Sequence, residues 1–345
     1  MPGAPSFEIS LDGNTLSGRT LKHLLRAELR ESFHEMDAFV LSLVVPQDPT
    51  EVTRLAKPGS AFSVKLRAGE ASREVKGDIV EISHARSVSN PWVLTFTGLD
   101  RMHVLTHKRA RKVRKGTDAS IVAEIAQECG LRAEVEDVSA TGDYSLQLNE
   151  DYASFLLRVA DENDYIVRVE DNDTLRFSRR MSAYQTQTVT ATWGREIESV
   201  ELRASLRDLV TGVKVRGYNP MQGEWVSGSA TSSDLACFSG GQTGVDLAQS
   251  AFGDWTDERD NARVTSSSKA RAVARAALQT AANRYVEGTI ECTGMPDAVS
   301  GARLTIQKAG DPMSGDFVIR ETIHTLTPDA GYRTTIHFLS DSLPA

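Results

Sequence analysis

The sequence has few of the features that mark secreted, membrane-spanning or metal-binding proteins. Its three cysteines, Cys129, Cys237 and Cys292, are odd in number and far apart, so they form neither a disulfide framework nor a CxxC metal pair. We interpret them as small buried side chains of a protein made in a reducing cytosol. The N-terminus lacks a basic segment followed by an apolar one, which predicts no signal peptide. No stretch approaches the ~20 apolar residues that span a bilayer.

Positive charge is scarce relative to negative charge. The 345 residues include 39 Lys and Arg against 47 Asp and Glu, which gives a net charge of −8. A dedicated DNA-coating or membrane-surface protein needs a positive field, so this balance argues against both classes. With 40% hydrophobic and 6% aromatic residues, the chain has the composition of a soluble globular protein. Its length predicts two or three domains.

Short alternating strands are predicted at both ends of the chain. In the first hundred residues they are separated by turn signals such as Asp12-Gly13, a pattern typical of a small barrel or sandwich. Residues 20–35 are open between a helix, because of their leucine spacing, and an exposed strand, because of their Arg and Glu content. The predicted strands are 7–11, 38–45, 62–66, 76–82 and 92–97, and later 199–203, 209–215, 288–292, 304–306, 317–320 and 332–338.

Between these β-rich regions the pattern changes. Residues 117–118 can cap a helix that Gly130 ends, and the apolar spacing of 152–160 predicts a second helix. Residues 165–169 and 174–177 then read as a strand pair. The middle of the chain is therefore predicted to be an α/β insertion.

Two further features lie in the C-terminal region. An Ala- and Arg-rich helix is predicted over 269–286, capped by Ser267 or Ser268. The side chains able to face a sheet are Ala272, Val273, Ala276, Ala277 and Ala281. Residues 227–266 are rich in Ser, Gly, Thr and Asp, which predicts a long loop.

Motifs for metal binding and nucleophilic catalysis are incomplete. His103 and His107 have the i, i+4 spacing of a zinc pair, but Val104 stands where a zincin needs its general base. Residues 266–269 match SxxK without its companion motifs, which favours a helix cap. Residues 239–244 are glycine-rich but lack the GK[ST] ending of a phosphate-binding loop, which favours a flexible loop.

Paired carboxylates are plentiful, as in Asp161-Glu162 and Glu170-Asp171. A glycosidase needs two carboxylates facing each other across a sugar cleft, and nothing singles out such a pair. We interpret these acids as solvated surface. The sequence predicts no catalytic residue, no metal site and no cofactor.

The strongest local charge signal lies at residues 101–115, which read RMHVLTHKRARKVRK and contain no acid. Three interpretations stand: a nucleic-acid patch, a contact with another protein or subunit, and a solvated basic face. The acidic chain and the lack of interleaved aromatic residues weigh against stable nucleic-acid binding. The candidate interface residues are Lys108, Arg109, Arg111, Lys112, Arg114 and Lys115.

Several blocks, taken in order, resemble the phage late control D family, which comprises baseplate hub proteins of contractile tails and the hub portion of VgrG-like type VI secretion spike proteins. The blocks are GDIVEI at 77–82, LTFTGLDRM at 94–102, DASIVAEIA at 118–126, LQLNEDYASFLLRV at 146–159, SGDFVIR at 314–320, His324, and GYRT at 331–334. Where the family often has Gly after the second helix, this chain has Glu162-Asn163-Asp164. Asn and Asp tolerate the left-handed conformation, so we expect the turn to survive.

The resemblance implies an α+β, mainly β fold with two related β-barrels and an α/β insertion. The expected domains are a first barrel over 1–100, the insertion over 101–185, and a second barrel over 186–345 that contains the helix 269–286. Three copies are expected to form a ring of six barrels, which matches a sixfold tail tube on one side and a threefold spike on the other. The first two barrel strands and the C-terminal strands, including 332–338, are expected to build the ring wall, around a mildly acidic lumen.

The expected function is that of a non-enzymatic, trimeric baseplate hub of a contractile tail or injection system. The implied partners are a separate spike protein, a tail tube or tube-initiator protein, baseplate wedge proteins, and tape measure or cargo in the lumen, with no stable nucleic-acid binding and no membrane insertion. Assembly is expected in the bacterial cytoplasm, with the product in a phage tail or injection particle. The alternatives are a peptidoglycan-hydrolysing tail component and a nucleic-acid or partner-binding module that uses residues 101–115.

Overall fold

The computed structural model describes residues 5–33, 35–45, 50–138, 144–171, 173–238 and 242–344, without the side chains of 50, 51 and 183. The helices of this described part are α1 (Gly18–Leu21), α2 (Thr50–Thr53), α3 (His103–Thr106), α4 (Asp118–Glu128), α5 (Tyr152–Asn163), α6 (Arg180–Thr186), α7 (Gly244–Phe252) and α8 (Ser267–Ala282). The first twelve strands are β1 (Ser6–Leu11), β2 (Asn14–Thr15), β3 (Leu24–Ser32), β4 (Ala38–Val44), β5 (Ala61–Ala68), β6 (Ala71–Ala85), β7 (Val93–Leu99), β8 (Arg109–Lys115), β9 (Arg132–Val135), β10 (Tyr144–Asp151), β11 (Tyr165–Glu170) and β12 (Thr174–Arg179). The remaining strands are β13 (Thr188–Thr192), β14 (Ile197–Ala204), β15 (Gly212–Asn219), β16 (Glu224–Thr231), β17 (Thr256–Asp260), β18 (Val286–Thr293), β19 (Arg303–Gln307), β20 (Gly315–Thr327) and β21 (Gly331–Ser340).

One curled sheet of 13 strands joins the two ends of the chain. Its order is β14-β18-β21-β20-β3-β4-β7-β6-β5-β1-β2, with β19 on β20 and β13 on β19. The joint lies where β3 pairs antiparallel with β20, so strands from the first hundred residues continue directly into strands from the last thirty. The prediction of a mainly β protein is confirmed. Among the described residues, no helix combines the length and apolar character that a membrane crossing requires.

Alternating side chains give this sheet one apolar face and one polar face. In β4, Phe39, Leu41 and Leu43 are buried and their neighbours in sequence are only half-buried. This period of two places every second residue on the same side of a strand. The apolar face packs into a first core around Leu29, Phe39, Leu41, Phe62 and Phe96, and into another around Ile290, Leu304, Phe317, Ile336 and Phe338.

The middle of the chain has its own core and confirms the predicted α/β pattern. Helices α4 and α5 bury Ile121, Phe155 and Leu156 against the three-stranded sheet β11-β12-β9. Thr117 caps α4 by accepting the Ser120 N–H at 3.1 Å, as its sequence position predicts. The strand pair β11–β12 is also confirmed.

Two details of the turns are confirmed. Asp12 and Gly13 form the tight connection between β1 and β2. Asp164 follows α5 with φ 59° and ψ 44°, the left-handed conformation expected for this turn. Its guanidinium partner, Arg180 at 2.9 Å, holds this residue in place.

Most of residues 20–35, for which the sequence left helix and strand open, form a strand. After the single turn α1, residues Leu24–Ser32 form β3 between β4 and β20. The leucine spacing that suggested a helix places Leu24 and Leu29 in the core, whereas Leu25 remains half exposed. Pairing on both edges of the strand outweighs the weak helical pattern.

The prediction of a long loop over 227–266 is wrong. This region contains most of β16, a 3-10 turn at Ser232–Asp234, the helix α7 and the strand β17. Strand β17 is polar because it lies at an edge, where main-chain bonds to β15 hold it and few of its side chains are buried. The glycine-rich residues 239–241 lie outside the described residues.

The predicted helix 269–286 is shifted toward the N-terminus. Helix α8 covers Ser267–Ala282, and its cap is Ser266, not Ser267 or Ser268. Its most deeply buried face runs along Ala270, Ala274 and Leu278. Of the predicted set, Ala276 is also buried, and Val273 and Ala277 pack against the same core while partly exposed. At Gly228, a Cβ would lie 2.2 Å from the Arg271 backbone N, so glycine lets β16 pack directly on the first turn of α8.

The cysteines follow the prediction only in part. All three are free, and Cys292 is buried, Cys129 is half-buried and Cys237 is exposed. Burial raises the pKa of the Cys292 thiol to about 12. Cys292 therefore behaves as a small apolar side chain, whereas Cys237 does not.

Candidate functional site

The joint between the two halves of the sheet contains a buried ionic cluster. Glu31 lies on β3, His324 lies on β20, and both point into the apolar side of the sheet. Arg73 reaches them from β6 and forms an ion pair with Glu31. The Arg73 Nε also donates to the Pro296 carbonyl at 3.0 Å. One guanidinium thus holds elements of both halves together.

His324 is held on both ring nitrogens. Its Nδ1 lies 2.9 Å from the Tyr332 hydroxyl and 3.1 Å from the Thr334 Oγ1, both of which can donate. Its Nε2 lies 3.4 Å from Glu31 Oε2. The Arg73 Nη2 lies 3.3 Å from the same ring nitrogen, so the imidazole sits between the cation and the carboxylate.

Burial and charge act on this cluster in opposite directions. Burial alone would raise the pKa of Glu31, but the charge and hydrogen bonds of Arg73, aided by His324, hold that pKa below its usual value. Burial lowers the pKa of His324 although Glu31 opposes this. The joint therefore consists of an ionised Arg73–Glu31 pair and a neutral imidazole.

A polar cavity of about 230 Å³ lies next to the joint, with Asp37, Asp100 and Arg168 among its lining residues. Asp100 accepts the Met102 N–H at 3.0 Å and faces the Asp37 N–H at 3.4 Å. Burial raises the pKa of Asp100 to about 7 against these hydrogen bonds. Burial, and then the charges of Glu31 and Asp100, also raise the pKa of Asp37.

Asp100 makes the stability of the chain depend on pH. Folding raises its pKa from 3.8 to about 7, so between these values the folded chain binds more protons than the unfolded chain. Its contribution is complete below about pH 4 and is lost as pH rises through about 7. We expect Asp100→Asn to flatten this part of the stability profile and to unfold at a higher temperature than the parent chain at pH 8.

The measurement is thermal unfolding from pH 4 to 8. Asp12→Asn is the matched control, because Asp12 is exposed in a turn and Asn accepts the same positive φ. An unchanged pH slope in Asp100→Asn would show that Asp100 does not control this titration.

The basic segment forms the two-stranded ribbon β8–β10 and does not act as one surface. Arg114 is buried, with its Nε donating to Gln147 at 2.9 Å and its guanidinium stacked on Tyr152 at 4.9 Å. Lys112 pairs with Glu128 at 3.2 Å, and the Lys108 ammonium donates to the Glu128 carbonyl.

Three of the six candidate interface residues are exposed without an acidic partner in the described part of the chain: Arg109, Arg111 and Lys115. Val113 and Leu148 are also exposed on this ribbon, at 54% and 49%. The outer face of β8–β10 is therefore both basic and apolar. The buried Arg114 does not belong to it.

The other motifs singled out in the sequence have structural partners. His103 bonds to Asp78 at 3.1 Å, and no group of three or more His, Cys, Asp or Glu suited to a metal occurs among the described residues. Glu162 pairs with Arg158 at 2.8 Å, and Glu170 pairs with Arg168 at 2.6 Å. The first of these pairs lies within α5 and the second within β11.

The polar face of the large sheet forms continuous rows across both halves. One row consists of Glu81, Thr97, Val40, Glu28, Thr325, Arg333 and Thr293. A second consists of Ser32, Glu321, His337, Thr289 and Glu201. A third consists of Arg30, Ile323, Thr335, Glu291 and Ser199. Small hydroxyl residues and carboxylates dominate this face, which crosses the joint without interruption.

Sequence reasoning missed Glu31, Arg73, Asp37 and Asp100. No local pattern distinguishes a buried carboxylate in an alternating strand from an exposed one. The sequence presents His324 and Tyr332 only as parts of motif blocks and assigns them no role. A signal existed in Glu31, which occupies a core position in the alternation of β3.

Comparison with known proteins agrees with this architecture. The family model for the phage tail baseplate hub (GPD) matches residues 30–330. No curated protein matches the sequence. A 43 kDa tail protein of prophage MuSo2 from Shewanella oneidensis has 14% identity and a TM-score of 0.71, with coverage of 99% of this chain and 100% of that one.

Two further solved structures share the fold. A tail protein from Neisseria meningitidis MC58 has 14% identity and a TM-score of 0.67, covering 98% of this chain and 97% of that one. An Escherichia coli component of the type VI secretion system has 14% identity and a TM-score of 0.57, covering 93% and 76%. The family match spans both halves of the sheet and the insertion between them. The chain therefore belongs to the phage tail baseplate hub family and is a hub component of a phage tail or a related type VI-like apparatus.

Proposed function

We propose that three copies of this chain close into a ring that adapts a sixfold tail tube to a threefold spike. The observation that carries the proposal is the joint between β3 and β20, which makes one wall from two halves. Each half has its own apolar core, and together they present one polar face. Two similar units per chain give six units in a trimer, the number that a sixfold tube requires.

In this arrangement the chain consists of a first barrel-like unit at 1–100, an insertion at 101–185 and a second unit at 186–345. The three main core clusters fall within these limits almost completely, which supports the division. In this proposal the insertion is the part that contacts neighbouring baseplate proteins. Its exposed cations Arg109, Arg111 and Lys115 suit an acidic partner surface.

The polar face of the sheet lines the lumen in this proposal. Glu28, Glu81, Glu201 and Glu291 lie on the rows described above and give the wall its acidic character. Like charge disfavours adhesion of DNA or acidic cargo to such a wall. The spike, the tail tube and the wedge proteins are separate partners, and the assembly is a particle component built in the bacterial cytoplasm.

The chain is proposed to work by shape and not by catalysis. The sequence singles out no catalytic carboxylate pair, and of the paired acids noted there Glu162 and Glu170 form ion pairs with arginines. Arg114 of the basic ribbon is buried, so fewer cations are available on this surface to bind nucleic acid.

The test is the mass and the orientation of the assembly. Mass photometry of the full chain should show a species of about 113 kDa, three times the 37.6 kDa of one chain. In a Cys129→Ser/Cys237→Ser background, a gold-labelled Glu81→Cys should place its label inside the ring in class averages. The matched Val88→Cys, on a fully exposed loop, should place it elsewhere. A chain that stays monomeric at tens of micromolar, or a ring with the Glu81 label on its outside, would overturn the proposal.

A further inference from the structure

The small sheet β16-β15-β17 exposes large apolar side chains at both of its ends. Met221 and Trp225, at the β15–β16 hairpin, are 84% and 76% exposed. Phe252 and Trp255, at the opposite end, are 75% and 64% exposed. Clusters of large exposed apolar side chains on a polar protein mark interaction sites, because burying their surface away from water lowers the free energy.

The hairpin end is a rigid projection. Tyr218 and Trp225 are cross-strand partners, and their rings meet edge to face at 5.4 Å. The Asn219 Oδ1 accepts the N–H groups of Met221 and Gln222 at 3.0 and 3.2 Å, which holds the turn. Docking this hairpin therefore costs little ordering of its backbone.

The opposite end is an apolar pocket of about 270 Å³. Its lining includes Leu206, Leu209, Ala248, Phe252, Gly253 and Trp255. Thr211 holds one wall, since its Oγ1 accepts the Trp255 N–H at 2.6 Å. A large aromatic side chain suits a cavity of this size and polarity.

Projection and pocket cannot meet within one chain. Strand β15 runs from beside Trp255, next to Gly212, to the hairpin at Asn219. At ~3.3 Å per residue its eight residues separate the two ends by roughly 25 Å. A contact between them needs two copies, and it is head-to-tail, the type that closes into a ring.

Charge favours the same pairing. Glu224 lies beside Trp225 on the projection, and Arg207 lines the pocket. Among the described residues, neither side chain has an ion-pair partner of its own. Bringing the hairpin into the pocket places one carboxylate near one guanidinium.

We propose that the Tyr218–Trp225 hairpin of one copy inserts into the Leu206–Trp255 pocket of the next copy, and that this contact repeats around the ring. The inference rests on the ring proposed above and names the surfaces that would close it. Trp and Tyr at the centre of such a contact carry a large share of its binding energy. A second copy fits better than an unrelated partner because each surface finds its complement in shape and charge on the same chain.

The first experiment measures assembly of the full chain by mass photometry over a dilution series. Trp225→Ser should raise the dissociation constant of the contact by about 30-fold or more, the loss expected for a central aromatic residue. Val88→Ser is the matched control, since Val88 is fully exposed but belongs to neither surface, and it should change nothing. Glu224→Arg should weaken assembly, and adding Arg207→Glu should restore it.

The second experiment identifies which surfaces meet. In a Cys129→Ser/Cys237→Ser background, Met221→Cys and Phe252→Cys chains are oxidised separately and as a mixture. Disulfide-linked dimers only in the mixture would support a head-to-tail contact. Dimers of Met221→Cys alone would show hairpins meeting each other and would overturn the proposal, as would no dimers at all.

The outcomes separate this inference from the function on which it rests. A trimer that persists unchanged in Trp225→Ser keeps the ring but overturns this contact, and leaves the aromatic hairpin to another baseplate protein. A parent chain that never assembles overturns both.

Discussion

Replacing Arg73 with methionine is expected to lower the free energy of unfolding by about 3 to 5 kcal/mol, because it leaves a charge buried without its partner. The Glu31 side chain is only 7% exposed, and Arg73 provides its ion pair. His324 remains 3.4 Å from Glu31, but a neutral imidazole replaces neither the charge nor the paired hydrogen bonds of Arg73. The measurement is urea unfolding followed by circular dichroism at pH 7.5 and fixed protein concentration.

Two variants make this result specific. Lys76→Met, on the same strand but 48% exposed, should change stability by less than about 0.5 kcal/mol. Adding Glu31→Leu to Arg73→Met should recover much of the loss, since an apolar pair can replace a buried ionic one at small cost. A double variant as unstable as the single one would mean that Arg73 acts by packing and not through the charge of Glu31.

The same ion pair predicts the acid limit of stability. The pKa of Glu31 lies below its unfolded value of 4.5, so the folded chain binds fewer protons than the unfolded chain in that range. Its contribution is complete above about pH 4.5 and is lost as pH falls below it. The Arg73→Met chain should lack this loss of stability at low pH, because Glu31 then has no ion pair that protonation could break.

Replacing Lys269 with methionine is expected to have a similarly large effect at a different joint. The Lys269 ammonium, 7% exposed, bonds to Asp118 of α4 and lies 3.3 Å from Glu162 of α5. Lys269 therefore ties the first turn of α8 to both helices of the insertion. Its loss leaves the buried Asp118 without a cation, whereas Glu162 keeps Arg158. We expect about 3 to 5 kcal/mol lower stability together with faster proteolysis between the insertion and α8.

Arg271→Met is the matched control for this variant. Arg271 lies two residues further along α8, is 69% exposed and pairs with Asp234 at the surface. Surface ion pairs of this kind contribute between 0 and about 1 kcal/mol. Equal effects of the two substitutions would show that Lys269 acts through helix propensity and not through the insertion helices.

Local structure was largely predictable because it depends on nearby residues. The turn at Asp12-Gly13, the cap at Thr117 and the pair β11–β12 follow from residue type and spacing. The left-handed Asp164 followed from comparing its position with the family's glycine. Each of these features involves residues within a few positions of each other, which is the range that patterns report.

The region 227–266 shows where this reasoning ends. Its polar composition predicted a loop, yet β17 is a strand because β15 offers it a row of main-chain partners. An edge strand can be built from Asp, Glu and Arg when its stability comes from the backbone. The partner strand lies about 40 residues away in sequence, so no local pattern could show it.

The sequence by itself determined the β-rich class of this protein, the positions of most strands, the cap of α4 and its family, because alternation, capping and ordered motifs depend on neighbouring residues. Only the tertiary structure decided that the two halves join at β3 and β20, that Arg114 turns inward, and that Arg73 closes the joint. Arg73 and His324 are 251 positions apart. They come together only because the whole sheet curls. Burial of the Glu31 carboxylate then makes a cationic partner necessary, and Arg73 is that partner.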